Sequence, residues 1–168
     1  ERVKVKSGAC LKCPIGCTRV TRIVDEDGNV VSSGEGPEFE TVSLLGANLH
    51  IYDLEVVTQA NYLCNRYGFD TISMGGTIAA LMEIYEKIDA TDPSQRTEAE
   101  AALITEAEPF VSQYGPPVFG NASCLAPLVE AAATNTGIGQ AVAQGAKRLA
   151  QRFGHAEASM TVKGMEPP

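Results

Sequence analysis

Nothing in the chain constrains its fold as tightly as the run Ala9-Cys10-Leu11-Lys12-Cys13-Pro14-Ile15-Gly16-Cys17. Three thiols follow the spacing C-x2-C-x3-C, with a proline directly after the second. A C-x2-C step lets two sulfurs face one point, and the next three residues bring the third round from the following turn. The run has no apolar periodicity in which thiols could be hidden, so it reads as a turning loop. Three of the four thiolate ligands of an iron–sulfur cube take this form. Three of four ligands to a structural zinc are the competing reading. The plainest reading is three unrelated core cysteines.

Composition narrows the setting. The five cysteines are an odd, clustered set and not the even framework of a disulfide-stapled secreted domain, which points to a reducing, cytoplasmic environment. The 168 residues are 44% hydrophobic without a tryptophan, enough for one sizeable core. A net charge of −8 and the lack of a basic stripe argue against nucleic acid or an anionic membrane as partner. No apolar run approaches the roughly 18–20 residues of a membrane-spanning helix, and no signal peptide is visible. The chain opens at Glu1 without a methionine and closes on Met165-Glu166-Pro167-Pro168 without a final helix. Both ends therefore read as cuts, and the expectation is a single domain over 1–168 taken from a larger enzyme.

Along the chain, Val3 and Val5 alternate with Arg2, Lys4 and Lys6, a strand signal leading into the cysteine loop. Arg19–Val24 and Val30–Ser33 flank Asp25-Glu26-Asp27-Gly28-Asn29, which is hairpin-turn chemistry. Gly34–Pro37 reads as a loop. A short helix is expected within Glu40–Leu49. Asp53 should cap a helix that stops at Tyr67-Gly68, and Asp70 should cap the next, which carries Ile72, Ile78, Leu81, Met82 and Tyr85. Gly75-Gly76 inside that helix implies close approach of a ligand or of another backbone, or tight helix packing. Glu98–Ala107 reads as an exposed Ala/Glu helix, Gln113–Asn121 as a loop, and Leu125–Thr134 as a helix. The stripe Ile138, Val142, Ala146, Leu149 and Phe153 predicts one last helix ending at Gly154. Thr161–Lys163 reads as a short extended tail. The fold class is mainly α, a multihelical body over 36–168 with a small β-hairpin beside the cysteine loop in 1–35.

Three stretches in this order resemble one family: Cys10–Cys17, Gly36-Pro-Glu-Phe-Glu-Thr41, and Leu63-Cys-Asn-Arg-Tyr-Gly-Phe-Asp-Thr-Ile-Ser73. Together with Gly137-Ile138-Gly139 and Val162–Glu166 they are similar to the middle, cluster- and pterin-binding domain of the tungsten-containing aldehyde ferredoxin oxidoreductases. Nothing specific is recognised in 89–108. The resemblance implies a [4Fe-4S] cluster beside a tungsten or molybdenum ion held by two pterin dithiolenes. It implies aldehyde oxidation to carboxylic acid, ferredoxin as electron acceptor, and partner domains before and after this chain. Cys10, Cys13 and Cys17 match the family's first three cluster ligands. The fourth lies in the family's C-terminal domain, and Cys64 and Cys124 do not match it. Asn65-Arg66-Tyr67-Gly68-Phe69-Asp70 matches a pterin-binding pattern Asp-x-x-Gly-Leu-Asp, with Asn65 and Phe69 as departures; an asparagine still accepts and donates hydrogen bonds. Glu40 matches a glutamate beside the metal, while neither His50 nor His155 aligns with its usual histidine partner. Gln59 stands where some members carry a metal-binding glutamate, and a neutral amide is a poor hard-metal ligand.

The chemistry is coherent with that resemblance. Aldehyde oxidation needs a group that polarises the carbonyl, a carboxylate for the proton, and a one-electron exit. Glu40 is the proton-handling candidate; it also reads as a helix N-terminal carboxylate, and Glu38 competes with it. Asp70 also reads as a plain N-cap. Two alternatives stay open: a related tungsten reductase of aromatic acyl-CoA, and a non-enzymatic zinc module of Cys10, Cys13 and Cys17 with His50 or Cys124. Excised, the domain should be inactive and its cysteine loop exposed and poorly ordered.

Overall fold

The computed structural model describes residues 3–167; Arg2, the first member of the predicted strand alternation, lies outside them. The chain begins with an antiparallel sheet in the order β1-β2-β3: β1 Lys4–Gly8, β2 Thr18–Val24 and β3 Val30–Glu35. The β2–β3 hairpin turns as predicted. Asp25 Oδ1 accepts from the Asn29 amide at 2.8 Å, and Gly28 sits at φ 85, where an L side chain would be strained. β1 is the strand expected before the cysteine loop, and its pairing with β2 widens the hairpin to three strands. A register shift between Lys4 and Lys6 breaks its alternation, so Val3 is buried while Val5 is exposed. Gly34 and Glu35, read as loop, instead complete β3 because they pair with Thr21 and Val20.

Seven helices follow among the described residues. The expected Glu40–Leu49 helix is α1, Phe39–Leu45, then a separate 3-10 turn, Ala47–Leu49. The break falls at Gly46, where a Cβ would lie 2.3 Å from the Val42 carbonyl oxygen. Helix α2 spans Leu54–Tyr67 and α3 spans Thr71–Asp89. Their caps are the predicted ones: Asp53 accepts from the Glu55 and Val56 amides, Asp70 from Ser73, and Gly68 closes α2 at φ 75. Gly75 is explained by packing. A Cβ there would lie 2.6 Å from the Leu44 backbone, so α1 approaches α3 as closely as a glycine permits.

Three further expectations need correction. Helix α4, Glu98–Tyr114, is longer than predicted and only partly exposed: Leu103, Ala107 and Phe110 are buried against the core. Its Ala/Glu content masks an apolar stripe, and its start is fixed by a capping box between Thr97 and Glu100. After α5, Leu125–Thr134, the predicted last helix is two short ones, α6 Gly139–Val142 and α7 Ala146–Arg152. The stripe is still buried, from Ile138 to Phe153, but Gly145 at φ 83 interrupts the helix. The amide of Ala146 then donates to Glu166 Oε1 at 2.9 Å, so the C-terminal segment caps α7. Instead of an extended tail, Val162 and Met165 pair across a tight turn with Lys163 and Gly164 at positive φ.

One continuous core joins α2, α3, α4, α5 and α7, with Ile78, Leu81, Met82, Ile84 and Ile88 of α3 fully buried at its centre. Among the described residues no helix is long and apolar enough to cross a membrane.

Candidate cluster loop and cofactor corner

The cysteine loop leaves the sheet at Gly8 and re-enters it at Thr18, and those two residues are cross-strand partners, so the loop is pinned at its base. Within it the Cys13 amide donates to the Cys10 carbonyl at 3.0 Å, closing a turn. Lys12 at φ 61 and Gly16 at φ 62 give the backbone its reversals. Cys10 and Cys17 are exposed, Cys13 is half-buried, and all three are free thiols. Leu11 and Ile15 are 92% and 79% exposed, so the loop builds no core of its own. Among the described residues, no three His, Cys, Asp or Glu side chains are arranged to hold a metal ion. As a donor set, accessible thiols on one pinned loop are of the kind that soft metal centres take.

The other two cysteines lie apart from the loop. Cys64 and Cys124 are fully buried in the helical core. Burial pushes the Cys64 thiol up to about 12, with the Asp70 carboxylate adding to the rise. Burial likewise pushes Cys124 up to about 12, and its thiol donates to the Asn121 carbonyl. Both stay protonated, and a thiol is not the metal-binding form. His50 packs on the Phe119 ring at 5.4 Å between centroids, and His155 lies between Glu100 and Glu157. Neither histidine completes a donor set with the loop.

The other predicted residues gather at one corner through contacts that sequence reading missed. Arg19 Nη1 donates to the Cys17 carbonyl at 3.0 Å and lies 3.8 Å from Glu38 Oε2. It therefore ties the exit of the cysteine loop to the residue preceding α1. Glu40 is exposed in the first turn of α1. Its neighbour Thr41, buried, shares a 2.8 Å hydroxyl hydrogen bond with Thr71, which follows Asp70. That bond sets the start of α1 against the start of α3. Thr21 and Tyr62, bonded at 2.7 Å, and Asn61 donating to the Glu35 carbonyl at 3.0 Å hold the sheet against α2.

At the α2–α3 junction Asn65 and Gly68 are exposed and Phe69 is half-buried against the core. The Gly68 and Phe69 amides both donate to the Cys64 carbonyl, so they shape the turn and are not free donors. Asp70 uses Oδ2 for the Ser73 amide at 2.7 Å. Its role as N-cap is thereby fulfilled, and both Asp70 and Asn65 are exposed residues.

Comparison with known proteins points to one family. The family described as aldehyde ferredoxin oxidoreductase, domains 2 and 3, matches residues 1–168. The tungsten-containing aldehyde ferredoxin oxidoreductase of Pyrococcus furiosus is 42% identical over 164 residues, 98% of this chain and 24% of that protein. The enzyme of the same name from Thermococcus kodakarensis is 38% identical over 164 residues, again 98% of this chain and 24% of that protein. A shorter likeness, 26% identity over 77 residues, joins 45% of this chain to 12% of the WOR-like subunit of an aliphatic sulfonate oxidoreductase of Pyrococcus furiosus. The chain thus spans about a quarter of the length of the first two relatives. A match along its whole length, with relatives this similar, places the chain in the aldehyde ferredoxin oxidoreductase family.

Proposed function

We propose that this chain is the cluster- and pterin-binding part of an enzyme that oxidises aldehydes to carboxylic acids and passes the electrons to ferredoxin. The observation that carries the reading is the segregation of its thiols. Cys10, Cys13 and Cys17 are accessible on one pinned loop, whereas Cys64 and Cys124 are sealed in the core. The loop fits a [4Fe-4S] cluster as three of its ligands, and a further domain of a longer polypeptide supplies the fourth. When bound, a tungsten or molybdenum bis-pterin centre supplies the oxygen-transfer chemistry and the cluster the one-electron exit.

The chain's own residues do the rest. Asn65 and the free oxygen of Asp70 offer hydrogen bonds to a pterin edge, and Gly68 turns the backbone so that both stand on one junction. Phe69 anchors that junction in the core. Glu40, exposed at the start of α1, accepts the proton released as the aldehyde takes up oxygen. The Thr41–Thr71 bond holds Glu40 and Asp70 on adjoining helix starts.

In the intact polypeptide, Glu40→Gln should lower aldehyde-dependent viologen reduction by about 10²–10⁴-fold with iron and tungsten retained, the usual worth of a positioned acid–base group. Cys13→Ser should remove the cluster, read as loss of about four irons and of its electron paramagnetic resonance signal. The 168-residue chain alone should not turn over. Aldehyde oxidation by that fragment, or intact-enzyme activity on aromatic acyl-CoA in place of aldehydes, would sink this reading.

A further inference from the structure

Between the sheet and the starts of α1 and α2 lies a cleft of about 260 Å3; of the residues weighed above as ligands or proton carriers, only Glu38, the competitor of Glu40, lines it. Thr58 of α2 lines it and is fully buried. Its Oγ1 is the one buried side-chain polar atom without a hydrogen-bond partner among the described residues. The exception is informative. Thr77, Thr105 and Thr134, also in helices, each return their hydroxyl to the carbonyl four residues back. Thr58 does not, and a buried hydroxyl left unpaired costs about 1–3 kcal/mol. Thr21, the other hydroxyl on the cleft, is already bonded to Tyr62.

The charge at this cleft is positive. Lys4 and Arg19 both line it. Lys4 forms no ion pair among the described residues, and Arg19 donates to the Cys17 carbonyl at 3.0 Å while its nearest carboxylate, Glu38, stands 3.8 Å away. Glu38 is the single carboxylate on the lining. In a chain of net charge −8, residues 3–24 contain Lys4, Lys6, Lys12, Arg19 and Arg22 and no Asp or Glu. The remaining walls are apolar: Val3 is buried, while Val42 and Leu54 are 37% and 49% exposed.

We propose that this cleft binds a small carboxylate bearing a short apolar tail. Lys4 and Arg19 neutralise the carboxylate, Thr58 donates a hydrogen bond to it, and Val3, Val42 and Leu54 cover the tail. The assignment rests on the cleft alone and is independent of the reaction proposed above.

The test is titration of the 168-residue chain with hexanoate, followed by amide chemical shifts, with hexan-1-ol as a neutral probe of similar shape. Hexanoate should bind saturably and move the amides of Val42, Leu54 and Thr58, and hexan-1-ol should bind at least about tenfold more weakly. Thr58→Val should weaken hexanoate by about tenfold while the melting temperature of the free chain holds or rises, because an unpaired buried hydroxyl has been removed. Lys4→Gln, a surface change, should weaken hexanoate and leave hexan-1-ol unaffected. Equal affinity for the acid and the alcohol, shifts confined to another face, or unchanged hexanoate affinity in both variants would overturn the assignment.

Discussion

Helix α3 buries Met74, Ile78, Leu81, Met82, Ile84 and Ile88, whereas β1 buries none of its five residues and β3 leaves Val30 and Val31 more than half exposed. The two regions are stabilised by different means. The helical body rests on apolar area removed from water, the dominant favourable term in folding. The sheet is held to it by a few polar contacts, among them Thr21–Tyr62, Asn61 to the Glu35 carbonyl, and Arg19 near Glu38. Such contacts each contribute about 0.5–1.5 kcal/mol net. The contrast explains how three thiols can stay accessible in a stable chain: the body folds without them, and the loop borrows its anchorage.

Thiol labelling should expose this contrast most strongly. In the native, reduced chain Cys10 and Cys17 should react with a thiol reagent at rates near those of a free peptide, and the half-buried Cys13 somewhat more slowly. Cys64 and Cys124 should wait for global opening, a protection of about a thousandfold or more if the body is as stable as typical domains. Rapid labelling of all five would erase the distinction between the regions. Next in size is truncation of the core. Leu81→Ala should cost about 3 kcal/mol in urea unfolding, since Leu81 is fully buried. Leu11→Ala in the exposed loop should change stability by less than about 0.5 kcal/mol. Comparable losses would mean that the loop belongs to the same cooperative core.

How far the sequence spoke for itself follows from the range of the interactions concerned. Asp53, Asp70 and Gly68 were legible as caps, and Asp25–Asn29 as a turn, because each acts on backbone within a few residues. The cysteine spacing was legible for the same reason. The buried side of α4 was not, because Leu103, Ala107 and Phe110 are spread thinly among alanines and glutamates. The split between α6 and α7 was hidden because Glu166, twenty residues on from Ala146, supplies the cap that α7 lacks locally. The gathering of Glu40 and Asp70 depends on Thr41 meeting Thr71, thirty residues away. Arg19 near Glu38 is equally tertiary, and neither pairing leaves a periodic trace.

The paired glycines of α3 sharpen the picture of the body from within. A Cβ at Gly75 would meet the Leu44 backbone at 2.6 Å, and backbone cannot swing aside. Gly75→Ala should therefore cost about 1–3 kcal/mol in denaturant unfolding, as overpacked sites do. A Cβ at Gly76 would meet side-chain atoms instead, Glu166 Cγ at 2.9 Å and Cβ at 3.0 Å, of a residue held by the Ala146 amide. There the gain in helix propensity, about 1 kcal/mol, offsets part of the displacement, and Gly76→Ala should cost less than Gly75→Ala. A large loss at Gly76 with none at Gly75 would reverse the assignment of the closer helix contact.

The smallest effects are electrostatic, and they divide the regions by where the loss is felt. Glu100 accepts from the Thr97 amide at 2.7 Å and from its hydroxyl at 2.9 Å, and it also faces His155. The Thr97 amide is the main cause that holds its carboxyl below the ordinary range. Asp25 is held low chiefly by the Asn29 amide, in the hairpin turn. A carboxyl whose folded pKa is depressed stabilises the fold at all pH above its unfolded value, and the contribution is lost as pH falls through the folded one. Acidification from neutral pH through the carboxylate range should therefore destabilise wild type more than Glu100→Gln, read as a smaller drop in melting temperature for the variant. For Asp25 the same acidification should instead open β2 and β3 of wild type locally, read as lost amide-exchange protection relative to the intrinsic rate at each pH, and Asp25→Asn should lack that acid-dependent loss, with the global melting curve little changed in either. Glu100 caps a helix that packs into the common core, whereas Asp25 closes a turn at the far end of a sheet with little core of its own. An equal effect of both residues on global melting would mean that the sheet and the body unfold as one unit.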